Sequence, residues 1–220
     1  MAAVFGLTLL EVLQQQDRPS EVLEDENVSE TMPRRLGLSE VVDRQIRTYR
    51  EAVRKRRRMG DDEMHALVQL VIRRPDSEDI FRRTGRLLAG ALPGKRPGAS
   101  RWRRFVPAGL AYGLARREVR KGLRGLFGRR IGGFASGPFA LEGRALLFIQ
   151  TDPGGDACAF LSGFCQTVLE RRVDAGCKVV HAQCQSRGDE VCRWTVTADA
   201  RVREREPVGE LLRSPELEAS

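Results

Sequence analysis

Aromatic residues are scarce in this 220-residue chain, 6% of the total with two tryptophans and two tyrosines, so few rings are available to line a core or a pocket. Histidines number only two, His65 and His181. No Ser/His/Asp grouping forms around them and no glycine-rich phosphate loop opens a helix after a strand, so catalysis of those classes has little support. No apolar run approaches the roughly 18 residues that a membrane-spanning helix needs. The apolar start, residues 2–13, lacks a positive leader and a small-residue cleavage site and runs into acid, which argues against a secretory signal. Five cysteines is an odd number. Together these absences predict a cytoplasmic, reducing environment in which thiols serve as metal ligands or core residues rather than disulfides.

What the chain does have is ordinary bulk composition and an uneven charge. Hydrophobic residues at 41% and charged residues at 31% suit a folded domain, and the length allows one real core with a small helical annex. The formal net charge of +8 hides its distribution. Residues 1–33 carry one basic and seven acidic side chains, residues 34–130 carry 27 basic and ten acidic, and residues 131–220 carry ten basic and 13 acidic. The basicity belongs to the middle of the chain.

Periodicity divides the chain into helices and then strands. Leu7, Leu10 and Leu13 mark a short stripe that reads either as part of a partly disordered acidic arm, residues 1–33, or as a docking helix. Val42, Ile46, Tyr49 and Val53 predict a helix over 39–58 within a helical extension, residues 34–60. Met64, Leu67, Val68, Val71 and Ile72 predict a second over 63–73, closed by Pro75, and Ile80, Phe81, Thr84, Leu87, Leu88 and Ala91 a third over 77–92. Gly85 and Gly90 lie inside that third helix, where each costs about 0.5–1 kcal/mol relative to alanine unless close backbone packing requires it. Residues 93–101 form a Pro/Gly-rich linker, and Leu110, Leu114, Val119, Leu123 and Leu126 predict one or two basic amphipathic helices over 106–127. Strands are expected at 134–139 and 141–150 with a turn at Glu142-Gly143, then a helix over 156–171, then a hairpin of 177–183 and 191–197 around Ser186-Arg187-Gly188-Asp189. The fold class is therefore α+β: helices packed on an antiparallel sheet, with C-terminal β-β-α-β-β order. The main domain is 61–200, and 201–220 is a charged tail.

Four residues stand out as candidate metal ligands: Cys158, His181, Cys184 and Cys192. Cys184 and Cys192 flank the hairpin turn, where facing strand positions bring two sulfurs close enough to share an ion. Cys158 opens the preceding helix, where the dipole favours a thiolate. His181 stands three residues before Cys184, an odd offset that sends side chains to opposite faces of a regular strand, so a bulge or an early strand end is required. Three cysteines and one histidine would close a tetrahedral zinc site, which is structural rather than catalytic. Small buried cysteines are also common in cores; Cys165, on the apolar side of its helix with Leu161, Phe164, Val168 and Leu169, reads as packing.

The strings Cys158-Ala-Phe160-Leu-Ser-Gly163-Phe and Val179-Val-His181-Ala-Gln-Cys184-Gln-Ser-Arg-Gly188-Asp-Glu-Val-Cys192-Arg-Trp194 resemble the C-terminal signature of the 4-vinyl-reductase, or hydrocarbon-binding, domain family. Residues 80–90 are similar, more loosely, to a glycine-containing helix near the start of that domain. In the aromatic-sensing activators of the family the four corresponding positions bind zinc, with glutamate where this chain has His181. The resemblance implies helices on an antiparallel sheet, a fold shared with Bet-type trafficking subunits. It also implies a cavity for a small hydrophobic ligand, which Phe81, Leu88, Phe134, Phe139, Leu147 and Phe148 can wall unless they are simply core. A homodimer and a protein output partner are expected with it. The alternative starts from the basic clusters at 54–58, 101–104 and 116–130: a basic adaptor or nucleic-acid-associated protein with no small-molecule ligand, although no nucleic-acid recognition motif accompanies the charge.

Overall fold

A computed structural model describes residues 1–17, 39–92, 106–144 and 151–197. Within them lie six helices and a four-stranded antiparallel sheet: α1 (Ala3–Gln16), α2 (Ser39–Arg54), α3 (Asp61–Ile72), α4 (Ser77–Gly90), α5 (Ala108–Phe127), β1 (Gly133–Phe134), β2 (Ala140–Gly143), α6 (Ala159–Arg172), β3 (Lys178–Gln183) and β4 (Cys192–Thr197). The sheet order is β1-β2-β4-β3. This is the α+β arrangement the patterning predicts, with the C-terminal β-β-α-β-β order intact.

The centre of the molecule is α6. Its residues Ala159, Phe160, Leu161, Ser162, Gly163, Phe164, Cys165, Val168 and Leu169 are all buried, so it is covered on nearly every side. It meets α4 at backbone distance. A Cβ added at Gly85 would stand 2.0 Å from the Phe160 carbonyl oxygen, and one added at Gly163 would stand 2.0 Å from that of Arg82. Two glycines, one from each helix, thus permit the crossing. Gly90, the other glycine flagged in α4, meets nothing within 4 Å and has no such role. On its other flank α6 is tied to α5 by Glu118, which pairs with both Arg171 and Arg172.

The amino-terminal helix is part of the same core. Phe5, Leu9, Leu10, Val12 and Leu13 are buried, and Phe5 packs edge-on against Phe160 with ring centroids 5.2 Å apart. The apolar surface is broader than the Leu7, Leu10 and Leu13 stripe because α1 is sandwiched between α2 and α4; Leu7 is only half-buried. Its end is fastened where Arg74 donates to both oxygens of Asp17, at 2.7 and 3.2 Å, and to Asp76. Leu9→Ala should therefore lower stability by about 2–5 kcal/mol in chemical denaturation, the range for emptying a tightly packed aliphatic site. A helix merely resting on the surface would change by far less.

Two boundaries differ from the sequence reading. Helix α2 stops at Arg54 rather than continuing to 58, because the backbone turns at Arg56, which has φ of 52°. Glu142 and Gly143 form no turn: they belong to β2 and pair with Arg193 and Cys192 of β4. The reversal lies earlier, around Gly137 with φ of 107°, a conformation that glycine adopts without a Cβ penalty. The apolar run 145–149, the linker 93–101 and the tail 201–220 lie outside the described residues.

The sheet packs one face on α6, through Trp194, whose indole N–H donates to Ser162 Oγ at 3.1 Å. At the outer edge of β3, the Gln166 side-chain amide donates to the Cys177 carbonyl at 2.6 Å and accepts from the Val179 N–H at 2.7 Å.

Candidate metal centre

Cys158 sits at the end of a 3-10 turn, Asp156–Cys158, that leads into α6. The approach to it is held by the buried carboxylate of Asp152, which accepts the backbone N–H groups of Gly155 at 3.0 Å and Ala157 at 2.6 Å. Asp156 accepts from Ser77 Oγ at 2.5 Å and anchors the turn to α4. Gly155 is left-handed, with φ of 82°.

Cys184 and Cys192 bracket the hairpin connection. Cys184 lies just beyond β3 and heads a second 3-10 turn, Gln185–Arg187, that Gly188 closes in a left-handed conformation. The Asp189 carboxylate accepts the Cys184 N–H at 2.6 Å, and the Gln185 N–H points at Cys192 Sγ at 3.3 Å. The two cysteines do not face each other as strand partners: Cys192 pairs with Gly143. It is the folded-back turn, not the ladder, that brings their sulfurs together.

His181 joins them through an irregularity in register. On β3, His181 pairs with Trp194 and Gln183 with Arg193, so two steps along β3 match one along β4 and Ala182 is the extra residue. That bulge reverses the side-chain alternation beyond it and places His181 and Cys184 on the same side, as their odd spacing demands. The imidazole stacks on Trp194, with centroids 4.6 Å apart and planes 6° from parallel. Its Nδ1 lies 3.3 Å from Arg187 Nη2, whereas Nε2 is buried without a hydrogen-bond partner.

One ligand atom from each of Cys158, His181, Cys184 and Cys192 lies within 4.8 Å of every other. Cys158 Sγ and Cys192 Sγ are 4.0 Å apart. Sulfurs bound tetrahedrally to one zinc ion at about 2.3 Å are separated by about 3.8 Å, so the pair is already near a coordinating distance. The three cysteines are buried and His181 is half-buried. This set of four could hold a metal ion; the buried Nε2, which has no hydrogen-bond partner, becomes a ligand atom once the ring proton sits on Nδ1, a tautomer in which that nitrogen no longer accepts from Arg187. With four protein ligands no position would remain for substrate.

The electrostatics depart from expectation at Cys158. Its thiol is pushed up, first by its hydrogen bond to Cys192, then by burial and by the neighbouring sulfurs. Cys192 is pulled down, because it accepts from Cys158 and from the Gln185 N–H and lies beside the His181 imidazole, against the opposite pull of burial. Arg187 is held more firmly protonated by its hydrogen bond to Cys184. A guanidinium beside Cys184 and near Cys158 offsets the negative charge that they would carry as thiolates.

Cys165 and Cys177 are buried outside this cluster. Cys165 is raised by burial alone, as befits a packing residue. His65 is half-buried on α3. Of the proposed cavity walls, Phe81, Leu88 and Phe139 are buried core, and Phe134 packs edge-on against Phe139 at 5.1 Å beneath the guanidinium groups of Arg116 and Arg120. Leu147 and Phe148 lie outside the described residues. Beside His181 is a polar cleft of about 380 Å³, lined by Glu78, Arg82, Asp156, Ser162 and Arg187 among others.

The cysteines and histidine were legible from spacing, but their supports were not singled out. Gly155 is the clearest of these: a Cβ there would stand 2.7 Å from Cys184 Sγ. Gly155→Ala combines that collision with a strained left-handed backbone, and should displace the sulfur and weaken metal retention by about tenfold, on the scale of a lost supporting contact. Competition with a chromogenic chelator reads this directly; unchanged retention would show that the glycine serves the turn only.

Comparison with protein-family models, with curated proteins and with solved structures gives no match for this chain.

Proposed function

We propose that this chain is a non-catalytic binding domain in which one structural zinc ion, held by Cys158, His181, Cys184 and Cys192, pins the C-terminal hairpin to the start of the central helix. The observation that carries this reading is the convergence of three buried sulfurs and an imidazole within 4.8 Å, drawn from three separate parts of the chain. Zinc fits the donor set: soft thiolates and an imidazole in a closed tetrahedral site, with no open position and no redox demand. Three thiolates around a divalent ion leave a single net negative charge, which Arg187 is placed to balance. The Gln185 N–H directed at Cys192 is a further support for a thiolate.

The ligand of the domain, in this proposal, is a small hydrophobic molecule, in keeping with the resemblance of residues 158–164 and 179–194 to the hydrocarbon-binding family. The zinc would fix the geometry of one wall, and a homodimer in the cytoplasm would pass the signal to a protein partner. Five unpaired, buried cysteines suit a reducing compartment. No helix among the described residues is long and apolar enough to cross a membrane.

The deciding experiment is metal analysis of the untagged protein beside Cys184→Ser and Cys192→Ser. One zinc per chain in the parent, absent from both variants, is the expected result; a parent free of zinc after purification without chelator would refute the metal assignment. Native mass spectrometry of the same sample addresses the ligand separately. A bound organic mass released by denaturation supports the sensing half, and zinc-loaded protein that retains no added hydrocarbon or aromatic probe removes it.

A further inference from the structure

Helix α5 has one face that the rest of the described domain leaves uncovered. Starting from Leu110, the positions Leu114, Arg117, Lys121 and Arg124 follow at steps of four, three, four and three, so at 3.6 residues per turn they fall on a single line. All five are exposed, Leu110 at 58% and Leu114 at 44%, and Val106 just ahead of the helix is at 37%. The opposite side, with Ala111, Ala115, Val119, Gly122 and Leu126, is buried against the core, so the helix is firmly held and the line points outward.

The charge of this face is of one sign. The single acidic residue of α5, Glu118, is turned toward α6, where Arg171 and Arg172 occupy it. Among the described residues no carboxylate pairs with Arg117, Lys121 or Arg124. At the C-terminal end the positive surface widens: Arg58, from the basic turn after α2, donates to the Gly125 carbonyl at 3.1 Å, and Arg129 is exposed next to it.

One exposed leucine is unremarkable. Two on successive turns, continued along the same line by three unneutralised cations, ask for a partner that is anionic and also offers hydrocarbon. Phosphate lines on a nucleic-acid duplex supply only the first, and an α-helix reads a duplex by entering a groove with side chains that reach base edges, for which leucine is poorly suited. A lipid surface supplies both, and an exposed helical line about 21 Å long can lie along it. We infer that α5 docks the protein on an anionic lipid bilayer, with Leu110 and Leu114 at the boundary between headgroups and acyl chains and Arg117, Lys121 and Arg124 among the headgroup phosphates. The attachment is peripheral, and it stands independently of the metal centre.

Co-sedimentation of the full chain with vesicles tests it, comparing equimolar phosphatidylcholine and phosphatidylserine with phosphatidylcholine alone. Binding to the anionic vesicles, weakened by salt, is expected, with little to the neutral ones. Replacing Arg117, Lys121 and Arg124 together by glutamine should weaken it about a hundredfold, at roughly fivefold per cation. Leu110→Ser with Leu114→Ser should weaken it about tenfold through lost apolar insertion. Both variants alter exposed side chains, so their thermal midpoints should match the parent and any loss reads on docking. Equal binding to both vesicle types, no binding to either, or full binding by the double-leucine variant would overturn the proposal. Tighter binding to a DNA duplex than to vesicles, or a homodimer that the leucine changes dissociate, would reassign the face to that other partner and overturn it too.

Discussion

Gly163→Ala is expected to destabilise the protein by about 3 kcal/mol or more, the upper part of the range for overpacking, because the obstacle is backbone. A methyl group at this position would enter the Arg82 carbonyl oxygen at 2.0 Å, and main chain inside a helix cannot rotate away as a side chain can. Gly85 faces the reciprocal obstacle at Phe160, so Gly85→Ala should act similarly and the two together should be less than additive: once the helices have parted for one methyl, the second finds room. Gly90→Ala is the control. With open space around it and a helical backbone, it should gain about 0.5–1 kcal/mol. Urea denaturation of the three single variants and the double variant beside the parent measures these effects, and equal losses at Gly163 and Gly90 would rule out the close crossing.

The second large effect concerns the metal. If the four-ligand site holds zinc, the ion stabilises only the folded form, and a free concentration a thousandfold above its dissociation constant contributes about 4 kcal/mol. Chelation should then lower the thermal midpoint of the parent, whereas Cys192→Ser should begin low and not respond to chelator. The loss should be local at first. Loop 152–158 and the hairpin from Lys178 to Thr197 would open while the α1, α4 and α6 contacts persist, so limited proteolysis should cut near Gly154 and Gly188 before it reaches the helical layer. A parent whose midpoint ignores chelator would separate the cluster from any structural metal.

The sequence was most readable where chemistry is set by short-range geometry. The hairpin was legible because Gly188-Asp189 stands between two alternating runs, and the cysteines because they bracket that turn. The awkward spacing of His181 was legible as a demand for a bulge, and the register shift at Ala182 meets it. Readability failed where distant segments decide. Residues 2–13 are apolar at so many positions that the Leu7, Leu10 and Leu13 stripe does not define the buried side, and the arrival of α2, α4 and α6 determines which sides are buried. Glu142-Gly143 carries a turn signal, yet pairing with β4 and the Arg193 ion pair with Glu142 hold it in a strand. Gly85 was noted as needing a reason and Gly163 was not, since a glycine's contact belongs to a partner helix that periodicity cannot see. Arg187 and Gly155 matter only through what the fold brings beside them.

The seat of Phe5 against Phe160 bears on how the protein is made. Helix α1 is translated before α6, so although α2 and α4 can cover much of it earlier, Phe5 lacks its native seat against Phe160 until α6 emerges. That ring must wait, shielded by provisional contacts or by a chaperone, until α6 is out. Joining segments so far apart also raises contact order, which slows collapse to the final state. The packing of α1 is thus begun by nearby helices and completed by a distant one.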